Sequence, residues 1–123
     1  MSIRVLVADH DESLREAYER SLAECGFQVF TAATGPDCLK QLREHVPHVL
    51  VLEPELPGVP GQQLTELICD ASHVPTVPVV IVSRHERAQP VISSDFPVWA
   101  YHVKPVAMDQ LAESVCSAAE QGP

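Results

Sequence analysis

Glu53 ends the apolar run VLVL at residues 49–52 and is followed at once by a turn rich in Pro and Gly, PELPGVPG. A buried parallel strand presents a single acid at its C-terminal edge in this way. Open α/β sheets collect ligands and chemistry at the carboxyl ends of their strands, so this carboxylate is a candidate for the centre of the site. Three other apolar runs end in reactive types. IRVLVAD closes on Asp9, with His10 and Asp11 next; VPVVIVS closes on Ser83; VWAYHV leads into Lys104 and Pro105.

Those four runs and FQVFTAA, which begins at Phe27, read as five strands. Between them the spacing predicts helices. Leu14, Ala17, Tyr18, Leu22 and Cys25 make one stripe, with Ser13 and Glu16 in capping-box relation and Gly26 at the left-handed stop. Thr34 and Asp37, with Pro36 in the first turn, open a helix whose inner face is Leu39, Leu42 and Val46 and which Pro47 closes. Leu64, Leu67, Ile68 and Ala71 mark a third, and Met108, Leu111, Ala112, Val115 and Ala119 a closing one. RHERAQPVISSDF has room only for a short helix, because Pro90 removes a donor and crowds the turn before it. Five βα units imply a parallel sheet with right-handed crossovers and helices on both faces.

The 123 residues, 46% of them apolar, suit one domain spanning 1–123. No run reaches the roughly 18 apolar residues of a spanning helix and the start lacks a signal peptide, so a cytoplasmic protein is expected. A net charge of −9 argues against direct binding of nucleic acid and for protein partners. Cys25, Cys38, Cys69 and Cys116 show neither CxxC nor metal-finger spacing and read as reduced, mostly buried small hydrophobes.

Taken in order, these marks resemble the receiver domain of two-component response regulators, over nearly the whole chain. The marks are Asp9 with Asp11 close by, Glu53 followed by Pro57, Gly58 and Gly61 as xxxPGxxG, Ser83, and Lys104-Pro105. The resemblance implies a flavodoxin-like (βα)5 three-layer sandwich with strand order 2-1-3-4-5. It also implies phosphoryl transfer from a histidine kinase to an aspartate after strand three, with Mg²⁺ held by two acids after strand one. Ser83 and Lys104 would contact the phosphoryl oxygens, and Tyr101 would change rotamer in response. A metal ion and an ammonium neutralise charge on the equatorial oxygens of such a transition state.

Two positions depart from the family. Counting back four from Pro57 puts the phosphoacceptor at Glu53, and the second acid of the pair is His10. The extra methylene moves the carboxylate by about 1.5 Å, where a misplacement of about 1 Å can cost on the order of a hundredfold in rate. Imidazole serves Mg²⁺ poorly, so the metal site, reduced to Asp9 and Glu53, is weakened; with His10 it would suit Zn²⁺ better. Asp11 faces away or starts the helix. An atypical receiver is therefore expected, a non-enzymatic protein-interaction switch or scaffold, with Glu53 aimed at Lys104 and Ser83 in partial imitation of a phosphoryl group. Its partners would be a histidine kinase or an output protein or domain, with no membrane. The surface of helix four, strand five and helix five, which receivers use for dimers and outputs, is irregular here because Pro90 and Pro97 flank SSDF, so a homodimer is left open.

The alternative is a receiver that still cycles through Glu53, or less well Asp11, with a divalent metal; a metal-binding sensor is a third. Flavin binding, the other use of this topology, is not expected, since no phosphate-cradling Gly- or Ser/Thr-rich loop follows strand one. Plainer readings stand beside each site residue. Glu53 could only pair with Lys104, His10 only hydrogen-bond, Ser83 only cap its loop, and Tyr101 and Trp99 only pack. His45, His48, His73, His85 and His102 read as surface or rim residues, and Glu12, Arg15, Glu19 and Arg20 as a solvated helix face.

Overall fold

The computed structural model describes residues 2–70, 76–85 and 97–121. β1 (Arg4–Ala8), β2 (Gln28–Ala32), β3 (Val49–Leu52), β4 (Val79–Ser83) and β5 (Val98–Val103) form one sheet in the order β2-β1-β3-β4-β5, every neighbouring pair parallel. This is the expected flavodoxin-like order. The described helices are α1 (Glu12–Glu24), α2 (Gly35–His45), α3 (Gly61–Cys69) and α4 (Met108–Gln121). The short helix expected around Pro90 falls outside the described residues, as do Ala71 and His73.

The central strands β1, β3 and β4 read as unbroken apolar runs because both of their faces are covered. Leu6, Ala8, Leu50, Leu52, Val79 and Ile81 turn toward Cys38, Leu39 and Leu42 of α2 and Leu64 and Ile68 of α3. Their alternate neighbours Val5, Val7, Val49, Val51, Val80 and Val82 turn toward Tyr18 and Leu22 of α1 and Leu111, Val115 and Ala118 of α4. The longer leucines thus fill one layer and the valines the other. Each such side chain contributes about 1.5–3 kcal/mol on full burial.

Local expectations change at several points. Asp11, not Ser13, caps α1, its Oδ1 accepting the Leu14 N–H at 3.1 Å. Val46 does not join the inner face of α2; it ends the helix at φ 43° and is 43% exposed. Only Cys38 of the four cysteines is fully buried, and Cys25 is exposed at the end of α1. Arg15 is more than solvated surface, since its guanidinium donates to the Asp9 carbonyl at 3.0 Å.

The turn after β3 is set by a close approach. Gly58 has φ +94°, and a Cβ there would stand 2.8 Å from Pro36 Cδ. The same turn accepts a bond from Gly35 N–H to the Pro57 carbonyl at 2.9 Å, docking it on the start of α2. Glycine at 58 is what lets the loop pass, and the loop in turn frames the pocket beside Glu53.

Candidate functional site

The carboxyl ends of β1, β3, β4 and β5 bring Asp9, Glu53, Ser83 and Lys104 to one edge of the sheet. Backbone bonds fix their heights: Asp9 N–H donates to Ala32 O at 3.0 Å, Glu53 N–H to Ala8 O at 2.9 Å, and Lys104 N–H to Ser83 O at 2.7 Å. Asp9, Glu53 and Ser83 are all buried. The Lys104–Pro105 peptide bond is cis.

Lys104 Nζ donates to Asp9 Oδ2 at 2.9 Å and lies 3.7 Å from Glu53 Oε1. The nearer acid takes the hydrogen bond; the farther one is held by charge alone. Among the described residues neither carboxylate oxygen of Glu53 has a hydrogen-bond partner, although the side chain is shut off from solvent. Burial raises the carboxyl of Glu53 above its ordinary range, Lys104 opposes that, and the charges of Asp9 and Glu55 add to it. The same acids reach Tyr18, whose phenol is pushed up to about 12, first by burial and then by Asp9, Asp11 and Glu53.

Ser83 turns its hydroxyl to its own loop, accepting the His85 N–H at 3.1 Å. His85 then joins three elements. Its carbonyl accepts the Tyr101 hydroxyl at 2.5 Å, and its ring Nε2 lies 3.1 Å from Glu55 Oε1 in the turn after β3. Tyr101 is half-buried, its ring resting on the leucine-bearing layer. The bridge from Glu55 to His85 had no signal in the sequence beyond an acid and an imidazole in separate loops.

The donor set does not fit Mg²⁺, which needs several oxygen ligands in near-octahedral array. Asp9 Oδ1 accepts the Asp11 N–H at 2.9 Å and Oδ2 holds Lys104. His10 is exposed, with Nδ1 3.9 Å from Asp9 Oδ1, and Asp11 is committed to the cap of α1. The Leu14 N–H holds the carboxyl of Asp11 below its usual range. Among the described residues no group of three or more His, Cys, Asp or Glu is placed to hold a metal ion. The cation that bridges Asp9 and Glu53 is the protein's own ammonium.

Elsewhere, His48 Nδ1 accepts the Arg4 N–H at 2.9 Å, and His45 stacks on Phe30 with ring centroids 3.9 Å apart. His102 Nε2 lies 2.7 Å from Ser114 Oγ. These three histidines therefore tie elements together and are not idle surface. Trp99 is 37% exposed on β5. No described helix is long and apolar enough to cross a membrane.

Residues 5–116 match the family described as the response regulator receiver domain. The chain is 34% identical over 102 residues to the transcriptional regulatory protein AfsQ1 of Streptomyces coelicolor, covering 83% of this chain and 44% of that protein. It is 30% identical over 112 residues to the response regulator MprA of Mycobacterium tuberculosis, covering 90% and 48%. The chain thus spans about half the length of these curated relatives. A receiver domain described as CheY-like from Methanospirillum hungatei superposes with a TM-score of 0.85 at 22% identity, over 98% of this chain and 96% of that one. That likeness concerns the fold alone.

Proposed function

The chain belongs to the response regulator receiver family of signal transduction, and from that premise we propose that it works as a protein-interaction switch or scaffold standing in one set state, outside the usual phosphorylation cycle. The observation that carries this is the arrangement of Glu53 and Lys104. The acceptor carboxylate is sealed from solvent, and the lysine that would meet a phosphoryl group already bridges two acids. In-line attack on a phosphodonor needs an accessible oxygen and a counter-charge on the transferred group. Both are compromised here.

The charges present can hold the pocket unaided. Attraction between unit charges about 4 Å apart is about 4 kcal/mol at an effective dielectric near 20; at Glu53 burial outweighs that attraction, so the hold rests on the hydrogen-bonded pair of Lys104 and Asp9. Glu53 supplies one negative charge and two oxygens where a phosphoryl group brings roughly −1.5 to −2 and three, so its imitation is partial. It does not extend to Ser83, whose hydroxyl is turned to His85. The set state is one in which Tyr101 is bonded to the His85 carbonyl. Partners, a histidine kinase or an output protein or domain, would read that state on the surface of β5 and α4. The proposed role is non-enzymatic and cytoplasmic.

Amide spectra in the presence of Mg²⁺ and beryllofluoride, a phosphoryl mimic, test this reading. A set pocket leaves Glu53, Ser83 and Tyr101 unmoved. Saturable shifts at those three residues would instead support a receiver that still cycles through Glu53 with a divalent metal.

A further inference from the structure

We propose that the groove between β5 and α4 receives an arginine side chain from a protein partner, the guanidinium lying on the Trp99 indole and pairing with the Glu113 carboxylate. This rests on the reading of that surface as the partner-binding face and names the chemistry it selects.

The groove is about 420 Å³, lined by Trp99, His102, Gln110, Glu113, Ser114 and Ser117. A register irregularity falls here: Val79 pairs with Val98 and Val80 with Ala100, so Trp99 is the extra residue of a bulge. Bulges re-aim side chains, and this one leaves Val98 and Trp99 exposed side by side, at 39% and 37%, against the alternation of a regular strand. The floor is tied by the His102–Ser114 bond at 2.7 Å, which holds strand and helix in place beneath the opening. The Glu113 carboxylate is exposed and has no hydrogen bond or ion pair among the described residues.

Charge decides the occupant. β5 and α4 carry Asp109, Glu113 and Glu120 and no Lys or Arg. A second copy presenting the same face would set acid against acid, with no cation for Glu113. A cationic partner is complementary. Arginine suits the groove better than lysine, because a planar guanidinium stacks on an indole while pairing two N–H groups with a carboxylate.

Trp99 is the only tryptophan, so its fluorescence reports on the groove directly. The test titrates the whole chain with acetylated hexa-arginine amide and with the hexa-lysine equivalent, and maps the bound site by amide shifts. Binding should be saturable and stronger for hexa-arginine. Glu113→Gln should weaken it roughly three- to tenfold, and Trp99→Ala, followed by calorimetry, by a similar factor. Glu24→Gln, on the exposed end of α1, should change it less than about twofold. Equal losses in Glu113→Gln and Glu24→Gln would overturn the proposal, since attraction would then follow only the net charge of −9. Sedimentation showing a dimer that Trp99→Ala breaks would put a second copy in the groove and overturn it too. Loss of the arginine preference with shifts still in the groove removes the arginine assignment alone; shifts mapped elsewhere remove the partner-face reading with it.

Discussion

Lys104 and Asp9, 95 positions apart in the chain, are joined at 2.9 Å by a hydrogen-bonded ion pair that is almost wholly buried. The Glu53 carboxylate stands 3.7 Å from the same ammonium and accepts no hydrogen bond among the described residues. The three side chains together carry two negative charges and one positive. That imbalance governs most of what the pocket should do.

Removing the ammonium leaves two buried carboxylates facing each other. Lys104→Met should therefore destabilise the fold by about 3 kcal/mol at pH 7, in the range found when one partner of a buried pair is deleted. Urea denaturation checks this, and the deficit should shrink as the pH is lowered and the acids take up protons.

Glu53 should oppose folding as the pH rises. Its carboxyl is raised above the ordinary value by burial, so the folded chain holds this proton more tightly than the unfolded chain. Stability is then lost as the pH climbs from the ordinary glutamate value of about 4.3 through the raised one, and the full penalty stands above it. Glu53→Gln removes a charge without changing shape. It should gain on the order of 1 kcal/mol at neutral pH, seen as a melting temperature higher by about 4 °C, and the gain should vanish near pH 4.

Asp11 should behave in the opposite sense. The Leu14 N–H lowers its carboxyl, so its contribution is present above the ordinary aspartate value of about 3.9 and is lost as the pH falls through the lowered one. Asp11→Ala should lower the melting temperature at pH 7, and Asp11→Asn, which keeps a capping oxygen, should recover most of the loss while flattening the acid dependence.

Gly58→Ala should cost about 1–3 kcal/mol. The added methyl meets Pro36 Cδ at 2.8 Å with the backbone already at φ +94°. Because the turn lies beside Glu53, amide shifts in the variant should spread into the pocket as well as into α2.

Much of this was legible in the sequence because parallel strands buried on both faces leave unbroken apolar runs, each with its chemistry at the carboxyl end. Asp9, Glu53, Ser83 and Lys104 were found in that way. Which acid Lys104 would take was not legible, since it depends on under an ångström between two carboxylates on different strands. The cap of α1 was misplaced because Asp11 and Ser13 are both good capping residues two positions apart. Cys25 continues the apolar stripe of α1 in the sequence, but the helix ends at Glu24 and leaves the thiol exposed. The bulge at Trp99 had no signal, for the run VWAYHV reads the same with or without an extra residue.

The two departures from the receiver pattern should be reversible together. A His10→Asp, Glu53→Asp double variant restores an oxygen donor beside Asp9 and shortens the acceptor by one methylene. It should accept a phosphoryl group from a small-molecule donor in the presence of Mg²⁺, detected as a hydroxylamine-labile mass gain, where either single variant gains less.

The most direct measurement is the intact mass of the unaltered chain after incubation with acetyl phosphate and Mg²⁺. A pocket already closed by Lys104 across Asp9 and Glu53 predicts no added mass. A gain of one phosphate, released by hydroxylamine and traced by fragmentation to Glu53, would contradict it.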